Sequence, residues 1–94
     1  MTGYAFHPEA ITDLDHVYEY IAADNPDAAD RRIADILARI RGLVPLPQQS
    51  RKRPDLTSRP LRFTRVGEYL IAYAPDEKPL WVVAVLHGRL SPQI

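Results

Sequence analysis

Arginine, histidine and tyrosine are the residues of this chain whose types and spacing suit chemistry on a charged substrate. Six bases, Arg51, Lys52, Arg53, Arg59, Arg62 and Arg65, fall within fifteen residues that hold one acid, Asp55. His87-Gly88-Arg89 follows a long apolar run, and Tyr73 closes a shorter one. Guanidinium groups bind phosphodiester oxygens through paired hydrogen bonds and stabilise the charge of an attacking 2′-oxygen. A histidine or tyrosine beside them moves the proton. If the chain is a ribonuclease, the catalytic candidates are Arg62, His87, Arg89 and Tyr73. The candidates for holding a phosphate or a target surface are Arg51, Lys52, Arg53, Arg59, Arg62, Arg65 and Arg89. These residue types permit such chemistry without establishing it. His7 and His16 read differently: His7 ends a strand and helps to cap a helix, and His16 lies on a polar helix face.

Other chemistries lack their signatures. The sequence has no Gly-rich phosphate loop, no histidine pair at metal spacing and no nucleophile elbow. It has no cysteine, hence no thiolate metal site and no disulfide framework. Neither a cofactor nor a metal is expected. The first residues carry no basic and apolar leader, and no run approaches a membrane span. The expectation is a soluble protein of a reducing cytoplasm with no membrane partner.

Ninety-four residues make one domain, 1–94, and an apolar fraction of 46% supports a real core. The net charge is zero but unevenly placed. Residues 1–47 hold eight acids and four bases, and residues 48–94 hold eight bases and four acids. Such asymmetry suits a nucleic acid or an acidic protein partner. A solvated basic loop is the plainer explanation.

These residues need elements to place them. Leu61 to Arg89 reads as three strands. Leu61 and Phe63 alternate with Arg62 and Thr64, Val66-Gly67-Glu68 turns the chain, Tyr69–Tyr73 is a second run, and Leu80–Leu86 a third. The third run is apolar at every position. Strict alternation puts Trp81, Val83, Val85, His87 and Arg89 on one face and Leu80, Val82, Ala84 and Leu86 on the other. A strand apolar on both faces is central and covered twice. The helices upstream suffice for one cover. The second comes from curling of the sheet, another subunit or a partner chain. If the Trp81 ring is buried, its truncation to alanine costs about 3–5 kcal/mol.

Upstream, Gly3–His7 is a short strand with Tyr4 and Phe6 on one face. Pro8 opens an amphipathic helix over 8–23, with Ala10, Ile11, Leu14, Val17, Tyr18 and Ile21 as its stripe. Asn25 caps a second helix that Pro26 opens and that runs to about residue 44, carrying Ala29, Ile33, Ile36, Leu37 and Ile40. Leu46 to Pro60 reads as too proline-broken for a regular element. The order β-α-α-β-β-β is an α+β fold, a helical hairpin on a small, antiparallel-rich twisted sheet.

The ordered series carries a resemblance. It comprises Pro8-Glu9-Ala10, Asp13-Leu14, Tyr20-Ile21-Ala22, Asn25-Pro26-Asp27-Ala28-Ala29, Arg53-Pro54-Asp55-Leu56, Leu61-Arg62, Gly67-Glu68-Tyr69-Leu70-Ile71-Ala72-Tyr73 and Val85-Leu86-His87-Gly88-Arg89. In these it resembles the RelE/ParE superfamily of type II toxin–antitoxin toxins, and more closely the ParE branch. The resemblance implies the same fold and a toxin neutralised by a cognate antitoxin, in an oligomer with it. On the ParE branch the toxin inhibits DNA gyrase by binding, without a catalytic residue. The alternative is a RelE-like endoribonuclease that cuts messenger RNA on the ribosome, with Arg62 and Arg89 in arginine roles. The tail after Arg89, LSPQI, has no Tyr, His, Lys or Glu, so cleavage would need His87 or Tyr73 instead. A third outcome is a protein-binding relative without toxicity.

Overall fold

A computed structural model describes residues 3–88. Each element begins where local chemistry fixes it. Strand β1 spans Tyr4–Phe6, and His7 then caps helix α1, Pro8–Ala22, its Nδ1 accepting the Glu9 N–H at 3.1 Å. Pro8 sits in the first turn, where a missing N–H costs nothing. Helix α2, Pro26–Leu43, starts the same way: Asn25 Oδ1 accepts the Ala28 N–H at 3.1 Å. Strands β2 (Arg51–Lys52), β3 (Arg62–Val66), β4 (Tyr69–Ala74) and β5 (Leu80–His87) complete the chain. Gly67, at φ +57°, opens the two-residue turn between β3 and β4, and no non-glycine described residue has positive φ. That combination is a type II′ hairpin turn.

The five strands form one sheet in the order β1-β5-β4-β3-β2, with β1 parallel to β5 and every other pair antiparallel. The expected α+β hairpin-on-sheet architecture is what the chain adopts, with one addition. β2 lies inside the stretch read as too broken for an element. Its residues pair with Phe63 and Arg62 in the gap between Pro47 and Pro54. Two residues free of proline are enough for a short edge pairing, which no periodicity could reveal.

Both helices cover one face. Ala10 and Val17 from α1, and Ile36, Ile40 and Leu43 from α2, pack on Tyr69, Ile71, Tyr73, Leu80, Val82 and Val85. The stripe assigned to α1 is narrower than its sequence suggests: Ile11 and Tyr18 are exposed at 50% and 38%. The opposite face buries Leu61, Phe63, Leu70, Ala72, Val83 and Ala84, with Leu56, Trp81 and Leu86 partly buried against them. Leu56 and Leu61 belong to the loop between β2 and β3. The second cover therefore comes from the chain's own basic loop, and Val83 and Ala84 are buried within a single copy.

The alternation expected for β5 breaks. Ala84 pairs with Ala72 but Val82 pairs with Tyr73, so Val83 is an extra residue, a β-bulge. Leu80, Val82 and Val85 thus face the helices, while Trp81, Val83, Ala84 and Leu86 face the other way. Trp81 does not share a face with Val85; the residue is half-buried, and its ring makes a T-shaped contact with His7, centroids 6.1 Å apart. Truncating Trp81 should accordingly cost less than the ~3–5 kcal/mol of a fully buried aromatic.

β1 ends opposite Val82, which leaves the next stretch of β5 without β1 as a neighbour. Asp13 of α1 fills in: its Oδ2 accepts the Val85 N–H at 2.9 Å. A partly buried amide needs such an acceptor. Asp13→Ala is expected to lose about 1–3 kcal/mol, and Asp13→Asn, which keeps an acceptor oxygen, clearly less. Urea unfolding of both variants measures this. Equal losses would show that the carboxylate charge, not the hydrogen bond, holds β5.

Candidate functional site

The residues singled out for chemistry divide between the two ends of the sheet. Arg62 and Tyr73 are cross-strand partners on β3 and β4. Arg62 Nε donates to Gln48 Oε1 at 2.7 Å, and its Nη1 donates to the Ser50 carbonyl at 2.6 Å. Tyr73 is 0% exposed, and its hydroxyl donates to the Pro47 carbonyl at 2.7 Å. Both side chains anchor the connection that leaves α2. Tyr73, a proton-transfer candidate by sequence, is thus enclosed in the core with its hydroxyl hydrogen-bonded to the chain. Its position at the end of an apolar run concealed that the connection closes over it.

His87 sits at the other end of β4, opposite Tyr69. Four residue steps of strand separate Tyr69 from Tyr73, about 13 Å at ~3.3 Å each. His87 Nε2 lies 3.3 Å from Glu68 Oε2, and its ring meets Tyr69 edge-on with centroids 5.4 Å apart. Burial first, and the Glu68 charge second, push the Tyr69 phenol above its ordinary value, so it stays protonated near neutrality. Arg65 joins this end: a Cβ built on Gly88 would lie 3.2 Å from both of its terminal nitrogens. Arg89 lies outside the described residues. Arg62 and His87 therefore do not converge on one reacting atom.

The remaining bases occupy the β2 edge. Arg51 and Lys52 are exposed on β2, and Arg59 is exposed on the loop after it. Arg53 binds Asp55 through two hydrogen bonds, Nε to Oδ1 at 3.0 Å and Nη2 to Oδ2 at 2.8 Å. Those bonds hold the Asp55 carboxyl below the usual carboxylate range and raise the Arg53 guanidinium. The only acid of the basic stretch is thereby engaged by one of its bases.

A groove of about 350 Å³ runs between α1 and β5, lined among others by Asp13, His16, Val17, Tyr20, Tyr69 and His87. His16, read as solvated, is exposed on its rim. Tyr20, 76% exposed, was not singled out by sequence. The available signal was an aromatic residue lying off the apolar stripe. α1 carries Glu9, Asp13, Asp15 and Glu19 and no Lys or Arg. It packs over β5 and β1, at the opposite edge of the sheet from β2. Among the described residues no group of acids and histidines could hold a metal ion, and no helix is long and apolar enough to cross a membrane.

This geometry defines an α+β protein with one acidic, apolar edge and one basic edge, with Arg62 and His87 at opposite ends of β4. Residues 4–91 match the family model of the ParE toxin of the type II toxin–antitoxin system, parDE, and the chain belongs to that family. A solved structure described as the chromosomal ParDE TA system from P. aeruginosa shares the fold at 18% identity, with a TM-score of 0.73 over 89% of this chain and 92% of that one. No curated protein sequence matches the chain.

Proposed function

We propose that this chain is a toxin that inhibits DNA gyrase by binding it in the cytoplasm, and that a cognate antitoxin assembles with it and silences it. The family match over residues 4–91 carries the reading. The geometry supports binding over cleavage, because Tyr73 is buried and Arg62 is tied to Gln48 and Ser50 at the end of β4 away from His87. The α1 edge suits the antitoxin. Ile11, Tyr18 and Tyr20 supply exposed apolar surface there, and aromatic anchors of this kind dominate protein interfaces.

Induction of the chain alone tests the proposal. Loss of negative supercoiling in the first minutes, with translation intact, is the expected order of events. Co-expression of the antitoxin should relieve it. Early translation arrest with new message ends would instead mark a ribosome-dependent endoribonuclease and return His87 and Arg89 to chemistry.

A further inference from the structure

We propose that the basic edge formed by β2 and the loop after it binds the phosphodiester backbone of duplex DNA. The proposal deepens the function above and rests on it for its setting, the DNA held by the target enzyme.

The edge contains a built cleft of about 240 Å³, lined among others by Lys52, Arg53, Thr57, Ser58, Arg59 and Leu61. Its backbone is fixed from within. The Leu56 and Thr57 N–H groups donate to the Arg53 carbonyl at 2.9 and 3.2 Å, and the Leu61 N–H donates to the Arg59 carbonyl at 2.8 Å. Thr57 Oγ1 accepts the Arg59 N–H at 3.1 Å. Pro54 and Pro60 restrict φ in the same loop, and Leu56 and Leu61 pin it to the core of the second sheet face. The cations thus project from an ordered frame, which lowers the entropy cost of engaging a ligand.

The charge of this edge is uncompensated. Asp55 is engaged by Arg53, while Arg51, Lys52 and Arg59 are exposed with no carboxylate partner among the described residues. The acids of α1 lie at the far edge of the sheet. The field therefore draws a polyanion to β2 and repels it from α1.

The surface chemistry selects among polyanions. A protein interface is built on apolar or aromatic anchors. Among the described residues the exposed large apolar ones are Ile11, Tyr18 and Tyr20 on α1 and Leu46 beyond α2, and none falls within 51–61. Single-stranded nucleic acid is held by stacking on aromatic rings. Residues 48–62 contain no aromatic residue. Cations and hydroxyls without apolar or stacking anchors suit the phosphates of a duplex, which carry the bulk of non-specific DNA affinity.

Anisotropy of a labelled duplex of about 30 base pairs, titrated with the full chain between about 50 and 200 mM salt, tests the proposal. Two to four phosphate contacts should give log K a slope against log salt of about −2 to −4. The double variant Lys52→Ala/Arg59→Ala should bind about tenfold more weakly and flatten the slope by about 2, with its melting curve unchanged. Arg41→Ala, an exposed base on α2, should bind as the parent does. Absence of binding at low salt, equal binding by the double variant, or tighter binding to single-stranded RNA of the same length would overturn the assignment. Displacement of the duplex by polyglutamate at equal charge would also overturn it and give the edge to an acidic protein. Gyrase inhibition is measured on the same preparations. Inhibition without DNA binding removes this proposal and leaves the toxin; DNA binding without inhibition does the reverse.

Discussion

Tyr73→Ala is expected to destabilise the protein by about 3–5 kcal/mol, the range for truncating a large buried aromatic. Tyr73 is completely buried, and its ring packs within the helix-side core. Removing it leaves a cavity between α2 and the sheet and strips the Pro47 carbonyl of its donor. A small domain holds a total of about 5–15 kcal/mol, so the variant should be barely folded. Its Tm should fall by more than about 12 °C, from ~4–8 °C per kcal/mol at this size. Tyr73→Phe separates the two contributions. It keeps the ring and loses only the hydrogen bond, which should cost about 1–3 kcal/mol. Were Tyr73 a proton-transfer group, the phenylalanine variant would keep its stability and lose toxicity. The structure requires the opposite: reduced stability, with toxicity lost only as far as folding is lost.

Ile36→Ala should cost about 2–5 kcal/mol. Ile36 is fully buried on α2, in the cluster that joins both helices to β4 and β5. Trp81 lies on the other sheet face and gives a separate fluorescence signal. The loop that carries Leu56 and Leu61 covers that face, so both cores share one sheet and should melt together. Far-UV dichroism and Trp81 fluorescence should shift equally to lower urea in the variant, with coincident midpoints. A Trp81 transition left in place would show that the second face is an independent unit.

Much of this architecture is legible from short-range chemistry. His7-Pro8 and Asn25-Pro26 set both helix starts, because caps and first-turn prolines act within a few residues. Val66-Gly67-Glu68 marks its hairpin for the same reason: positive φ selects glycine. What escapes depends on distant parts of the chain. The bulge at Val83 lies inside a uniformly apolar run, where neither a glycine nor a polar residue betrays the change of phase. β2 exists only because β3 is there to pair with it. The candidate site suffers most. The sequence shows Arg62, Tyr73 and His87 as ends of strands but not which ends meet. The register joins Arg62 to Tyr73 and places His87 beside Tyr69. The basic stretch is visible as composition. That it also covers the second core, through Leu56 and Leu61, is not.

What the folded chain does to a topoisomerase decides between inhibition by binding and cleavage of messages. The direct measurement is supercoiling of relaxed plasmid by purified gyrase and ATP, with increasing amounts of the purified chain and then of its antitoxin. Loss of supercoiling at a modest molar excess, restored by the antitoxin, is the expected result. Full supercoiling at large excess of folded protein would contradict the account.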